Sequence, residues 1–185
     1  MLTPWGWAVA AAGPADHGSH AHAHSANPYA EYQHRPIKAL SAEQVRDLQE
    51  GRGMGLSLPA ELNGSPGPLH VLQMRERLGV TADQVSRLEA LRDEMSASAK
   101  RLGADIVQAE AELDAAFRQK TVDEAFIQNQ TARIGTLNGA LRSAHLVAHL
   151  KTQQVLTPSQ IAAYGVARGY AGATSGPAPA SRHAH

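Results

Sequence analysis

Apolar residues between positions 81 and 151 recur with a helical period. Leu88, Met95, Leu102, Ala109 and Ala116 stand seven apart, and Ala99, Ile106 and Leu113 form a second series four places later, the pattern of a coiled-coil seam. A helix from Ala82 to Phe117 would be about 50 Å long at ~1.5 Å per residue, so it needs a partner of similar length. The next segment supplies one: Phe126, Ile134, Leu137, Leu141, Ala144 and Ala148 continue the stripe. The pattern therefore predicts a long antiparallel hairpin, turning at Gln119 and Lys120. A lone hairpin would leave Leu102, Ile106 and Leu113 half covered, which predicts a dimer.

Shorter elements flank the hairpin. Thr81 with Gln84, Thr157 with Gln160 and Ser41 with Gln44 each place a capping hydroxyl three residues before a glutamine that can reach back to the cap amide. Pro158 suits a first helical position, and Thr121-Val122-Asp123-Glu124 reads as a further capping box. A short helix is predicted over Ser41–Glu50, ended by Gly51, then a Gly/Pro-rich connection to Pro68 with one helical turn near Pro59–Leu62. Leu69–Leu78 reads as a helix with Leu69, Leu72 and Leu78 inward and Gly79 as its left-handed cap. The last helix runs from Pro158 to about Gly169, with Ile161, Tyr164 and Val166 packing back.

Composition narrows the class to all-α, since aromatics make up only 4% of the 185 residues and strand formers are scarce. Lys plus Arg and Asp plus Glu both number 17, so no basic field draws the chain to nucleic acid or an anionic membrane. With no cysteine, a metal site has to use His, carboxylate or Met, and there are 10 histidines. Residues 1–15 read as a truncated signal peptide: a short apolar run ends in Gly13-Pro14-Ala15, but the first basic residue is Arg35. The alternative is an Ala/Gly leader; a membrane span would need ~20 apolar residues. Residues 16–38 form a His-rich segment expected to be disordered, 39–171 the helical domain and 172–185 a disordered tail. His17, His20, His22 and His24, and at the other end His183 and His185, are candidates for weak metal chelation. No nucleophile triad and no phosphate-cradling loop after a strand is present, so an enzyme is not expected.

Leu156-Thr157-Pro158-Ser159-Gln160 is an intact Leu-Thr-x-x-Gln motif, and Val80-Thr81-Ala82-Asp83-Gln84 is the same motif with Val for Leu. In these motifs and in helix order over 40–170 the chain resembles the Spy/CpxP family of periplasmic proteins. The resemblance implies a periplasmic, cradle-shaped antiparallel homodimer. It also implies one of two roles. One is a heavy-metal-responsive stress protein of the zinc-linked or nickel/cobalt-sensing type, acting with a membrane-bound signalling partner. The other is an ATP-independent holdase that grips unfolded clients on its concave face, beside charges such as Arg87, Arg92, Lys100 and Arg101. The chain lacks the positive excess of the chaperone members.

For the metal role, His145 and His149 lie four apart on one helix face, as do His70 and Met74. In metal-sensing relatives a His-x-x-x-Met or similar pair on the last long helix ligates, and His145-x-x-x-His149 matches it approximately. A fold about Gln119 and Lys120 sets His145 level with Glu94 and His149 near Glu89, and a bend at Gly79 and Val80 brings His70 to that layer. His70, Met74, Glu89, Glu94, His145 and His149 are thus the predicted site, suited to zinc, nickel, cobalt or copper. The structural alternative is that His145 and His149 merely flank the bundle stripe while His70 is solvated.

Overall fold

The computed structural model describes residues 27–170, which are all-helical, with no strand among them. A 3-10 turn at Ala30–His34 precedes six α-helices: α1 Ala42–Glu50, α2 Leu58–Glu61, α3 Pro68–Gln73, α4 Ala82–Gln119, α5 Glu124–Val155 and α6 Pro158–Ala167.

The capping residues set where the long helices begin and end. Thr81 has extended backbone and accepts from the Gln84 amide, while the Gln84 side chain accepts from the Thr81 amide. Lys120 ends α4 in the left-handed conformation (φ 57°), bonding back to the Ala116 and Phe117 carbonyls. The cap of α5 is Asp123, whose carboxylate accepts from the Phe126 amide at 2.8 Å, and not the expected Thr121. The Thr121 amide instead turns back to the Ala116 carbonyl at 3.1 Å, leaving Asp123 the first cap-competent side chain facing the new helix.

α4 and α5 lie side by side in opposite directions. Gln130 donates to the Ala109 carbonyl at 2.8 Å, Arg133 pairs with Glu112 at 2.6 Å and Lys151 pairs with Glu94 at 3.1 Å. Of these, the Gln130–Ala109 pairing keeps the predicted register, whereas Glu112 meets Arg133 and, farther along, Lys151, not His145, meets Glu94. The connection runs over residues 120–123 and is therefore longer than the two-residue turn predicted at Gln119 and Lys120.

Two apolar clusters hold the helices. In one, Leu48 of α1 meets Ala99, Ile106 and Leu141, with Leu40, Leu56, Leu102, Val107 and Leu137 around them. α1 approaches α4 so closely at Gly103 that a methyl group there would overlap the Leu48 carbonyl. Ile106 is thereby buried by its own chain, and only Leu102 and Leu113 of the three residues expected to need a second copy remain partly exposed. Burial of each such aliphatic side chain contributes about 1.5–3 kcal/mol.

The other cluster joins Val71, Leu72, Leu78, Leu88, Val155, Leu156 and Tyr164, so α3, the start of α4, the end of α5 and α6 share one core. α3 is shorter than the predicted 69–78 helix: it stops at Gln73, and a turn through Gly79 (φ +60°) leads to α4. Its inward residues are Val71 and Leu72, while Leu69 is 48% exposed. Starting at Pro68 turns the adjacent 71 and 72 positions to the core. Val166 also faces out, at 62% exposure, because it lies about 200° round α6 from the fully buried Tyr164.

Candidate functional site

Both motif copies do the same local work and then meet. Gln160 accepts from the Thr157 amide at 2.9 Å as Gln84 does from Thr81 at 3.0 Å, so each glutamine closes its own capping box through its side-chain oxygen. Each amide nitrogen then crosses to the other copy. Gln84 donates to Gln160 Oε1 and to the Val155 carbonyl, both at 2.9 Å, and Gln160 donates to Gln84 Oε1 at 3.0 Å and to the Gly79 carbonyl at 3.1 Å. Gly79 and Val155 each stand two residues before their threonine, so the junction has an approximate two-fold relation. Val80 and Leu156, the first residues of the two motifs, pack in the same apolar cluster. The motif thus builds the joint between the starts of α4 and α6.

Beside this joint lies a buried carboxylate that the sequence did not single out. Glu61, at the end of α2, is 5% exposed. Its Oε1 accepts from Tyr164 at 2.5 Å, Tyr170 at 3.1 Å and Arg168 Nε at 3.2 Å. Its Oε2 is buried with no hydrogen-bond partner and stands 3.8 Å from His149 Nδ1. His70 Nδ1 lies 3.7 Å from Oε1 and 3.4 Å from the Tyr164 hydroxyl. Burial would push the Glu61 carboxyl up, but the tyrosine hydrogen bonds, then His70 and Arg168, outweigh it and hold the group below its usual value. The Tyr164 hydroxyl is pushed the other way, by burial first and then by Glu61.

His70, His145 and His149 line one cleft of about 440 Å³, together with the 50–53 loop, Gly67, Arg92 and Asp93. His149 Nδ1 is 2.7 Å from the Ser65 carbonyl, and since a carbonyl only accepts, this nitrogen carries a proton, which leaves Nε2 as the nitrogen facing Gly67. A side chain at position 67 would crowd that Nε2, with its Cβ only 2.7 Å away, so glycine keeps the nitrogen accessible. His145 Nε2 is buried without a partner. Burial, and then His149, lowers the pKa of His145; burial, and then Arg168, lowers that of His70 against the pull of Glu61. Neutral imidazole is the ligating form.

The predicted ligands divide. The three histidines come to one cleft, and none of Met74, Glu89 and Glu94 lines it. Met74 packs on the apolar cluster around Val71, Glu89 is exposed, and Glu94 is engaged by Lys151. Glu94 meets Lys151 and not His145, six residues off the expected register, as Glu112 does with Arg133. His17, His20, His22, His24, His183 and His185 lie outside the described residues. Among the described residues, no group of three or more His, Asp or Glu side chains is already arranged to hold a metal ion. The donor chemistry of the cleft nevertheless fits a borderline ion: three imidazoles line it, and the His145 Nε2 nitrogen is without a partner. Glu61 escaped sequence reading because it sits in a Gly/Pro-rich connection with no periodicity; its only signal was a lone acid beside an isolated helical turn.

A family model described as LTXXQ motif family protein matches residues 69–166, which span α3 to α6 but not α1, α2 or Glu61. No curated protein and no solved structure matches the chain.

Proposed function

The chain belongs to the LTXXQ motif family, the marker of Spy/CpxP-like periplasmic proteins, and on that premise we propose that it is a heavy-metal-responsive periplasmic stress protein. The observation that carries the reading is the gathering of His70, His145 and His149 on one cleft, with His145 Nε2 buried and unpartnered. These three side chains would hold the ion, zinc, nickel, cobalt or copper, which supplies a Lewis-acidic centre and no catalysis of its own here. The three rings are not yet gathered at one point, so binding would require α3, which carries His70, to shift toward α5, which carries His145 and His149. Two copies pairing through the α4–α5 face would give the cradle-like homodimer that the resemblance implies, and a membrane-bound signalling protein would read the loaded state.

A second reading is favoured by a groove of about 310 Å³ between α4 and α5, lined by Leu91, Met95, Leu102 and Val147 and edged by Arg101 and Lys151. Apolar floor with charged rims suits an ATP-independent holdase for unfolded clients.

Calorimetry decides between them on full-length protein in which His17, His20, His22, His24, His183 and His185 are replaced by Ser. Binding of one of the four metals tighter than micromolar, ~8 kcal/mol, is expected of the cleft. Absence of such binding overturns the metal reading. Suppression of client aggregation by metal-free protein would then support the holdase.

A further inference from the structure

We propose that Glu61 is a positioning residue shared between the histidine cleft and the end of α6, so that occupancy of the cleft unfastens residues 164–170. This rests on the metal-binding reading above and adds to it a mechanical output.

Both His70 and His149 turn Nδ1 toward Glu61, at 3.7 and 3.8 Å, which leaves Nε2 as the nitrogen for ligation. A carboxylate behind a ligating histidine fixes the ring and raises its basicity. The same carboxylate holds the C-terminal end: Tyr164, Arg168 and Tyr170 all converge on Oε1, while Oε2 has no hydrogen-bond partner. The demand is therefore lopsided, with three donors on one oxygen and two imidazoles close by but beyond hydrogen-bond length. His149 already gives its Nδ1 proton to Ser65, so His70, with only a 3.4 Å approach to Tyr164, is the ring freest to take a new partner.

Ligation through Nε2 draws electron density from the ring and makes Nδ1–H a stronger donor. Glu61 is then pulled toward the rings, and its bonds to Tyr164, Tyr170 and Arg168 lengthen. The start of α6 stays in place because the Gln84–Gln160 pair holds it independently. What loosens is the last turn of α6 and the residues to Tyr170.

The test uses the same full-length protein without terminal histidines, zinc as the probe, and amide hydrogen exchange beside calorimetry. Zinc should speed exchange of residues 164–170 about tenfold while leaving the middle of α4 and α5 unchanged. Tyr164→Phe removes one donor from Oε1, so it should loosen the same residues without zinc and, by reciprocity, raise zinc affinity about threefold or more. Glu61→Gln should weaken zinc about tenfold and abolish the zinc effect on exchange. If Glu61→Gln does not fold, Arg168→Met, at an exposed position, serves as a second cut and should also raise affinity. Zinc binding with unchanged exchange at 164–170, or with affinity indifferent to Tyr164→Phe and Arg168→Met, overturns the coupling and leaves the metal reading standing. No zinc binding in the cleft overturns both.

Discussion

Gln84 and Gln160, 76 residues apart in sequence, exchange a reciprocal pair of side-chain hydrogen bonds at 2.9 and 3.0 Å while each also caps its own helix. Each amide therefore makes cap, cross-link and carbonyl contacts at once. Gln84→Ala or Gln160→Ala removes the reciprocal half of a capping box while leaving the threonine cap in place, and strands a partly buried partner, so each should destabilise by about 1–3 kcal/mol. The double variant should cost less than the sum by roughly 1 kcal/mol, read as a cycle of urea midpoints. Strict additivity would show that the two motif copies do not act as one joint.

Glycines in the long helices should respond in opposite directions. Gly103→Ala drives a methyl into the Leu48 carbonyl and should cost about 1–3 kcal/mol despite alanine's better helix propensity. Gly135→Ala and Gly139→Ala meet nothing within 4 Å and should each stabilise by up to about 1 kcal/mol. Thermal melts of the three variants settle this; a stabilising Gly103→Ala would mean that α1 does not lie on α4.

The start of α5 makes a local prediction. Asp123→Ala should cost about 1 kcal/mol by freeing the Phe126 amide, whereas Thr121→Ala should change stability by no more than a few tenths. Equal effects would restore Thr121 as the cap.

Acid should weaken the fold in two stages. His70 and His145 have folded pKa values below their ordinary 6.5, so the stability they contribute is present above about pH 6.5 and is lost as pH falls through the lowered values. Glu61, also lowered from 4.5, adds a further loss below that pH. Melting temperature should fall between pH 7 and 5, and His145→Leu should flatten part of that fall. A curve level over that range for the unaltered protein would rule out buried neutral histidines.

The helices and their caps were legible in the sequence because they rest on local rules: hydroxyl caps, Gly51 and Gly79 in left-handed backbone, and a seven-residue apolar repeat. The histidines were legible as a set for the same reason, being four apart on one face. Their carboxylate neighbours were not. Matching Glu94 to His145 depended on carrying one register from the turn along both helices, and Glu94 instead meets Lys151, six residues on, although Gln130 still meets Ala109. Glu61 was hidden because its burial comes from Tyr164, Arg168 and Tyr170, about a hundred positions away, and no local pattern encodes such a meeting. Ile106 was read as needing another copy because the reach of α1 over α4 depends on the bare backbone at Gly103.

The placement of the connections gives the paired long helices one clamped end and one free end. Around Leu88 and Val155 they are braced by α3, α6 and the motif joint, whereas near the turn Gln130 and the exposed Arg133–Glu112 pair are their main polar cross-links. Such a body behaves like a beam fixed at one end. The connection over residues 120–123 ties the far ends of α4 and α5 together, so they sway as a pair and do not part, and thermal displacement should increase steadily from the joint toward Lys120.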